Sequence, residues 1–179
     1  MGTPLYSILL DSKDLTFTAR HFITLSLPEK GLTVEPVHEH EFRVTAQIRG
    51  RLNDEGLLID FHTAHALLKE VLSECQGKYF LASRQKGVRF TRDLAHYRFW
   101  IPDEPAGRWN SNSEVAAVPL EKGILLDAVN ASAETIALHL ARIYYGKLAD
   151  SGLIAPDPNE RLLTVTLEEY PGMKAVVTI

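Results

Sequence analysis

The run HEHEFRVTAQIR, residues 38–49, alternates without a break. His38, His40, Phe42, Val44, Ala46 and Ile48 fall on one face, and Glu39, Glu41, Arg43, Thr45, Gln47 and Arg49 on the other. Successive side chains of a strand point to opposite sides, so a period of two over this length means a strand with one buried and one solvated face. The segment before it repeats the pattern: Leu15, Phe17, Ala19 and His21 share one face, and Thr16, Thr18 and Arg20 the other. Pro28, Gly31 and Pro36 mark the connection between the two strands as a loop.

Working outward, a turn at Asn53–Gly56 leads to a helix that Asp60 can cap, with Phe61, His65, Leu68, Leu72 and Cys75 as its apolar stripe. Between about 82 and 128 the periodicity weakens. Val88–Phe90 and His96–Ile101 suit a hairpin and Val115–Leu120 an edge strand, so this stretch reads as an insertion. A second helix runs from about Ser132 to Leu148, with Ile136, Leu140, Ile143 and Leu148 facing inward, and Pro156 and Pro158 end the connection after it. Leu162–Glu169 alternates again and puts Leu163, Val165, Leu167 and Glu169 on one face. After a turn at Pro171-Gly172, Lys174–Ile179 forms the last strand. The order predicts one α+β domain over residues 1–179. It has an antiparallel four-stranded sheet, two helices between strands 2 and 3, and an insertion at about 82–128.

A chain of 179 residues with 45% hydrophobic content is long enough to bury a core. Its net charge of −4 gives no footing for binding a phosphate backbone, so nucleic acid is not an expected partner. No apolar run reaches the roughly 18 residues of a membrane span, and the N-terminus lacks the basic start of a signal peptide. A single cysteine, Cys75, leaves no internal disulfide framework and fits a cytoplasmic setting.

The apolar rows of three strands each give way to polar groups at one end: His21 on the first, His38 and His40 on the second, Glu169 on the third. If the first two strands pair as antiparallel neighbours, His21 comes beside His38 and His40 on one face. Three neutral imidazoles converging at the rim of a core make an open zinc site, with the fourth position free for water or substrate. A lone HxH on a strand is more often two packed or surface histidines; the matching face of His21 is what raises the metal reading.

FTARH (17–21), HEHEFRV (38–44) and GRLNDEGLLIDF (50–61) together resemble the 6-pyruvoyl-tetrahydropterin synthase family, which includes the 6-carboxy-tetrahydropterin synthases. NASAETIALHLARIYYGKL (130–148) is similar to the family's second helix, and VTLEEYPG (165–172) to its third strand. The resemblance implies the T-fold and a homo-oligomer, trimer or hexamer. It implies zinc held by His21, His38 and His40, and a pterin ring anchored by Glu169. The family's usual catalytic cysteine falls on Val34. Glu35-Pro36-Val37-His38 is similar instead to a branch with a glutamate three residues before the histidine, which makes Glu35 the implied proton-transfer base. The family's Asp-His pair falls on Gly77 and Lys78, and His62, His65 and His96 are the spare histidines that could replace it. The activity implied is that of a zinc-dependent lyase on 7,8-dihydroneopterin triphosphate or a related pterin. The alternatives are a non-catalytic oligomeric module that binds a pterin or purine, and an unrelated α+β domain with structural histidines.

Overall fold

The computed structural model describes residues 4–29, 31–101, 114–154 and 163–179. Two N-terminal strands, β1 (Tyr6–Leu10) and β2 (Thr16–His21), share one edge of the long strand β5 (His38–Gly50). β2 takes the first half of β5, with Thr16 opposite Arg43 and His21 opposite His38. β1 takes the second half, with Leu10 opposite Ala46 and Tyr6 opposite Gly50. The other edge of β5 pairs antiparallel with β11 (Leu163–Tyr170), and β12 (Met173–Thr178) lies outside β11. β2, β5, β11 and β12 are the four antiparallel strands expected from the pattern, and both helices lie between β5 and β11.

The sheet is wider than the alternation alone indicates. β6 (Lys78–Ala82) runs parallel to β2, and β10 (Gly123–Leu126) parallel to β6, giving the order β10-β6-β2-β5-β11-β12 with β1 on β5. These additions escape a period-two reading for physical reasons. Phe80, Leu81 and Ala82 are buried in succession, so no polar face marks the strand. β1 is mostly exposed, and Leu10 with the partly buried Ile8 is too short a buried row to mark it. The segment read as a loop after His21 is in fact a small hairpin, β3 (Thr24–Leu27) and β4 (Gly31–Val34), turning at Pro28-Glu29.

Helices α1 (Phe61–Cys75) and α2 (Ala133–Asp150) cover one face of the sheet. Asp60 caps α1 by accepting from the backbone N–H groups of His62 and Thr63. The buried stripe of α1 is Ala64, Leu68, Val71, Leu72 and Cys75. Phe61, expected on it, is 57% exposed and stands off the buried stripe. On α2 the inward face is Ile136, Ala137, Leu140, Ala141, Tyr144 and Leu148, and Ile143 sits half-buried at its margin. The Tyr144 hydroxyl donates to the Ala64 carbonyl (2.9 Å), tying the helices together where burial would otherwise leave a phenol unpaired. These faces close over Phe17, Phe42, Val44, Val165 and Leu167.

The insertion forms its own antiparallel sheet of β7 (Arg89–Arg92), β8 (His96–Trp100) and β9 (Glu114–Pro119). Residues 102–113 between β8 and β9, with Pro156, Pro158 and Leu162 further on, lie outside the described residues. Among the described residues no helix is long and apolar enough to cross a membrane.

Burial at the end of α1 pushes the Cys75 thiol up to about 12 from its ordinary 9.0. Only on the order of one thiol in 10,000 is then ionised at pH 8, and the thiolate is the reactive form. The folded protein is expected to resist iodoacetamide at pH 8 and to be alkylated at Cys75 in denaturant, as read by mass spectrometry. Because the unfolded thiol ionises more readily, stability is expected to decline as pH rises above about 9.

Candidate metal centre and its pocket

The antiparallel register puts His21 directly opposite His38, with His40 two residues further along the same face of β5. The ring centroids are 4.6 Å apart for His21–His38, 5.1 Å for His21–His40 and 4.8 Å for His38–His40. Glu169 arrives from β11. The register between β11 and β12 slips between Glu168 and Tyr170, so Glu169 sits in a bulge, a device that re-aims one side chain at the end of a strand. Its Oε1 lies 2.9 Å from His21 Nε2 and 3.3 Å from His40 Nε2. One donor atom from each of His21, His38, His40 and Glu169 can be chosen so that all four lie within 4.8 Å of one another.

Two of the three imidazoles are fixed through Nδ1 by backbone carbonyls. His21 Nδ1–H donates to the Ala131 carbonyl (2.6 Å), and His38 Nδ1–H to the Pro36 carbonyl (2.8 Å). A carbonyl only accepts, so each bond puts a proton on Nδ1, and in the neutral imidazole the lone pair is then on Nε2. His21 Nε2 is fully buried and has no partner in hydrogen-bond geometry. A buried, orphaned imidazole nitrogen beside two more imidazoles and a carboxylate is a donor set suited to a divalent transition metal.

Electrostatics within the group run in opposite directions. Burial disfavours a charge on His21, but the Glu169 carboxylate and the Ala131 carbonyl outweigh it and raise its pKa above the usual 6.5. His40 is held below 6.5, first by burial. Glu169 is held below the usual carboxylate range by His21.

The group opens into a pocket of about 730 Å³ lined also by Ile23, Glu35, Pro36, Glu39, Ser132, Ala133, Glu134 and Tyr170. Glu35 is thus on the same pocket as the histidines. Its backbone N–H donates to the Ile23 carbonyl (3.0 Å), which fastens the segment after β4 to the segment after β2. Glu39 turns outward and pairs with Arg20. Glu168, one position from Glu169, is drawn away by the Gly172 N–H and Lys174. Among the described lining residues there are four glutamates and no lysine or arginine.

The spare histidines do not reach the pocket. His65 pairs with Asp14, His96 lies beside Asp93, and His62 stands in the first turn of α1. Lys78, at the position of the missing pair, opens β6 and donates to the Glu121 carbonyl. Sequence reasoning also missed what holds Ala131 in place. Asn130 accepts from the Thr24 N–H (2.9 Å), donates to the Thr24 carbonyl (2.9 Å), and receives Gln85 Nε2 (3.3 Å). The only trace of this clamp in the sequence is a polar residue opening the NASAE run ahead of α2. Tyr170, the last residue of β11, brings its ring within 4.8 Å of that of His40, a contact that nothing in the local pattern marks.

Comparison with known proteins bears on the family and the fold. A candidate 6-carboxy-5,6,7,8-tetrahydropterin synthase of Pyrococcus horikoshii is 25% identical over 162 residues, covering 90% of this chain and 85% of that one. The 6-pyruvoyltetrahydropterin synthase of Plasmodium vivax superposes with a TM-score of 0.76 at 20% identity, over 98% of both chains. It has also been solved as variants in which a catalytic glutamate is replaced. The Plasmodium falciparum 6-pyruvoyl tetrahydropterin synthase superposes with a TM-score of 0.76 at 21% identity, again over 98% of both chains. At these identities the solved structures establish the T-fold and nothing finer. The sequence pattern of the 6-pyruvoyl tetrahydropterin synthase family matches residues 12–178, nearly the whole chain, and the protein belongs to that family.

Proposed function

We propose that the protein is a zinc-dependent lyase of the pterin-synthase type, cytoplasmic, acting on 7,8-dihydroneopterin triphosphate or a close relative. The observation that carries this reading is the convergence of three imidazoles on one point, two of them fixed by backbone carbonyls, in a pocket that also holds Glu35. His21, His38 and His40 would hold the metal. Bound zinc supplies a Lewis acid that lowers the cost of removing a proton from a nearby hydroxyl or carbon. Glu35 accepts that proton, and the catalytic glutamate of the Plasmodium vivax enzyme supports a carboxylate in this role. Glu169 accepts the two N–H bonds of a 2-amino-pyrimidinone ring edge. It lines the pocket and meets His21 and His40 through Oε1.

The acidic lining supports assembly as well. A triphosphate needs cations that the described pocket residues do not provide, which favours a pocket completed by a second copy in a trimer or hexamer. The purified chain with zinc, incubated with 7,8-dihydroneopterin triphosphate, is expected to carry about one zinc per chain and to yield a pterin with a shortened or rearranged side chain. Intact substrate, recovered bound to zinc-loaded protein, would overturn the enzyme reading. It would favour the second one, a binding module without turnover. The observation behind that second reading is that no imidazole beyond the three joins the described pocket, and β6 occupies the stretch where the Asp-His pair is expected.

A further inference from the structure

The insertion has no role in the reading above, yet it touches both chain segments that carry the site. Its sheet contributes Phe99 and Val118 to a second apolar cluster completed by Phe22 and Leu81. Phe22 follows His21 directly, and its ring meets Phe99 edge-on at 5.3 Å. Val34 and Val37, on either side of Glu35-Pro36, are half-buried against the same cluster. The link preceding β7 adds a polar grip: Gln85, 4% exposed, donates through Nε2 to the Phe22 carbonyl at 3.2 Å. It adds a close steric contact too. Gly87 adopts a positive φ of 72°, and a Cβ there would lie 1.7 Å from Leu32 Cδ2 on the β3–β4 hairpin.

We propose that the insertion is a brace that fixes Glu35 relative to the three histidines, with Phe99 as its principal positioning residue. This rests on Glu35 being the base. The physical need is plain. β2 and β5 hold the histidines by ladder bonds, whereas Glu35 stands on a connection outside the main sheet, where its N–H bonds to the Ile23 carbonyl. A short hairpin has little stability of its own. Misplacing a reacting group by about 1 Å can cost on the order of 100-fold in rate, so a base on a loose connection needs outside support. The apolar cluster supplies it by seating the residues on both sides of Glu35.

The test is Phe99→Leu, which keeps the cluster apolar and removes the ring from Phe22. Val37→Ala serves as a second variant on the braced side. Both are studied in the full chain with zinc. Backbone amides of residues 31–37 are expected to exchange with deuterium at least tenfold faster, while those of β5 and β11 keep their protection. Turnover of 7,8-dihydroneopterin triphosphate is expected to fall severalfold in kcat with KM and zinc content unchanged. Unchanged exchange over 31–37 in both variants would overturn the brace, whatever happens to turnover. Faster exchange over 31–37 with kcat unchanged would overturn its catalytic purpose. Failure of the underlying reading shows itself separately, as a Glu35→Gln variant that turns over normally.

Discussion

Replacing His21 with alanine is expected to lower zinc affinity by more than about 100-fold, because losing only the outer partner of a ligand already costs 10–100-fold. Of the three histidines His21 is the deepest, at 3% exposure, and its orientation is the most constrained. Its Nδ1–H is spent on Ala131, its ring is wedged against His38 and His40, and Glu169 closes on its far side. What remains in the variant is two imidazoles two residues apart on one strand and a carboxylate, with no donor from the opposite strand. The change also leaves the Ala131 carbonyl without its donor inside the protein, at a cost of about 1–3 kcal/mol even when the metal is chelated. Competition against a chromophoric chelator would read the affinity, and a thermal melt in chelator the second effect. His62→Ala, on the exposed start of α1, is the control and should change neither. Zinc bound with unaltered affinity by the His21 variant would refute the three-histidine centre.

How far the sequence reveals this arrangement depends on where burial is one-sided. β2, β5 and β11 each expose one face and bury the other, so alternation shows both their boundaries and the row carrying His21, His38, His40 and Glu169. β6 is different: Phe80, Leu81 and Ala82 are buried consecutively, and a strand buried on both faces carries no period to read. The β3–β4 hairpin is too short to display a pattern, four residues a side, and Pro28 and Gly31 dominate its appearance. The distribution of roles around the site was legible only for side chains. Ala131 and Pro36 act through their carbonyls, which any residue type could supply, so nothing in their identity marks them. Glu169 lies on the expected face, but its approach to His21 and His40 depends on a bulge that period-two counting does not contain. The insertion reads as an addition at about 82–128, but β10 inside that range belongs to the main sheet, and the apolar cluster that brings Phe99 and Val118 together with Val34 and Val37 joins segments far apart in sequence, beyond the reach of any local pattern.

Glu35→Gln is expected to cut turnover by about 10²–10⁴-fold, the usual share of a positioned general base. Glutamine matches glutamate in length and shape, and the backbone bond from residue 35 to Ile23 does not involve the side chain, so the segment stays seated. The amide cannot accept and carry a proton as a carboxylate does. The metal ligands and Glu169 are untouched, and the variant should therefore bind zinc and the pterin as the parent does. A loss made only in the transition state lowers kcat and kcat/KM equally and leaves KM where it was. Glu39→Gln separates this from a general effect of pocket charge. It removes the same formal charge from the same pocket, but Glu39 is already engaged by Arg20 on the outer face. Its effect should stay within a few-fold. If both substitutions lower kcat alike, the contribution is electrostatic and Glu35 is not the base. If neither does, proton transfer belongs to another group, and Glu169, beside the same histidines, is the carboxylate that would have to carry it.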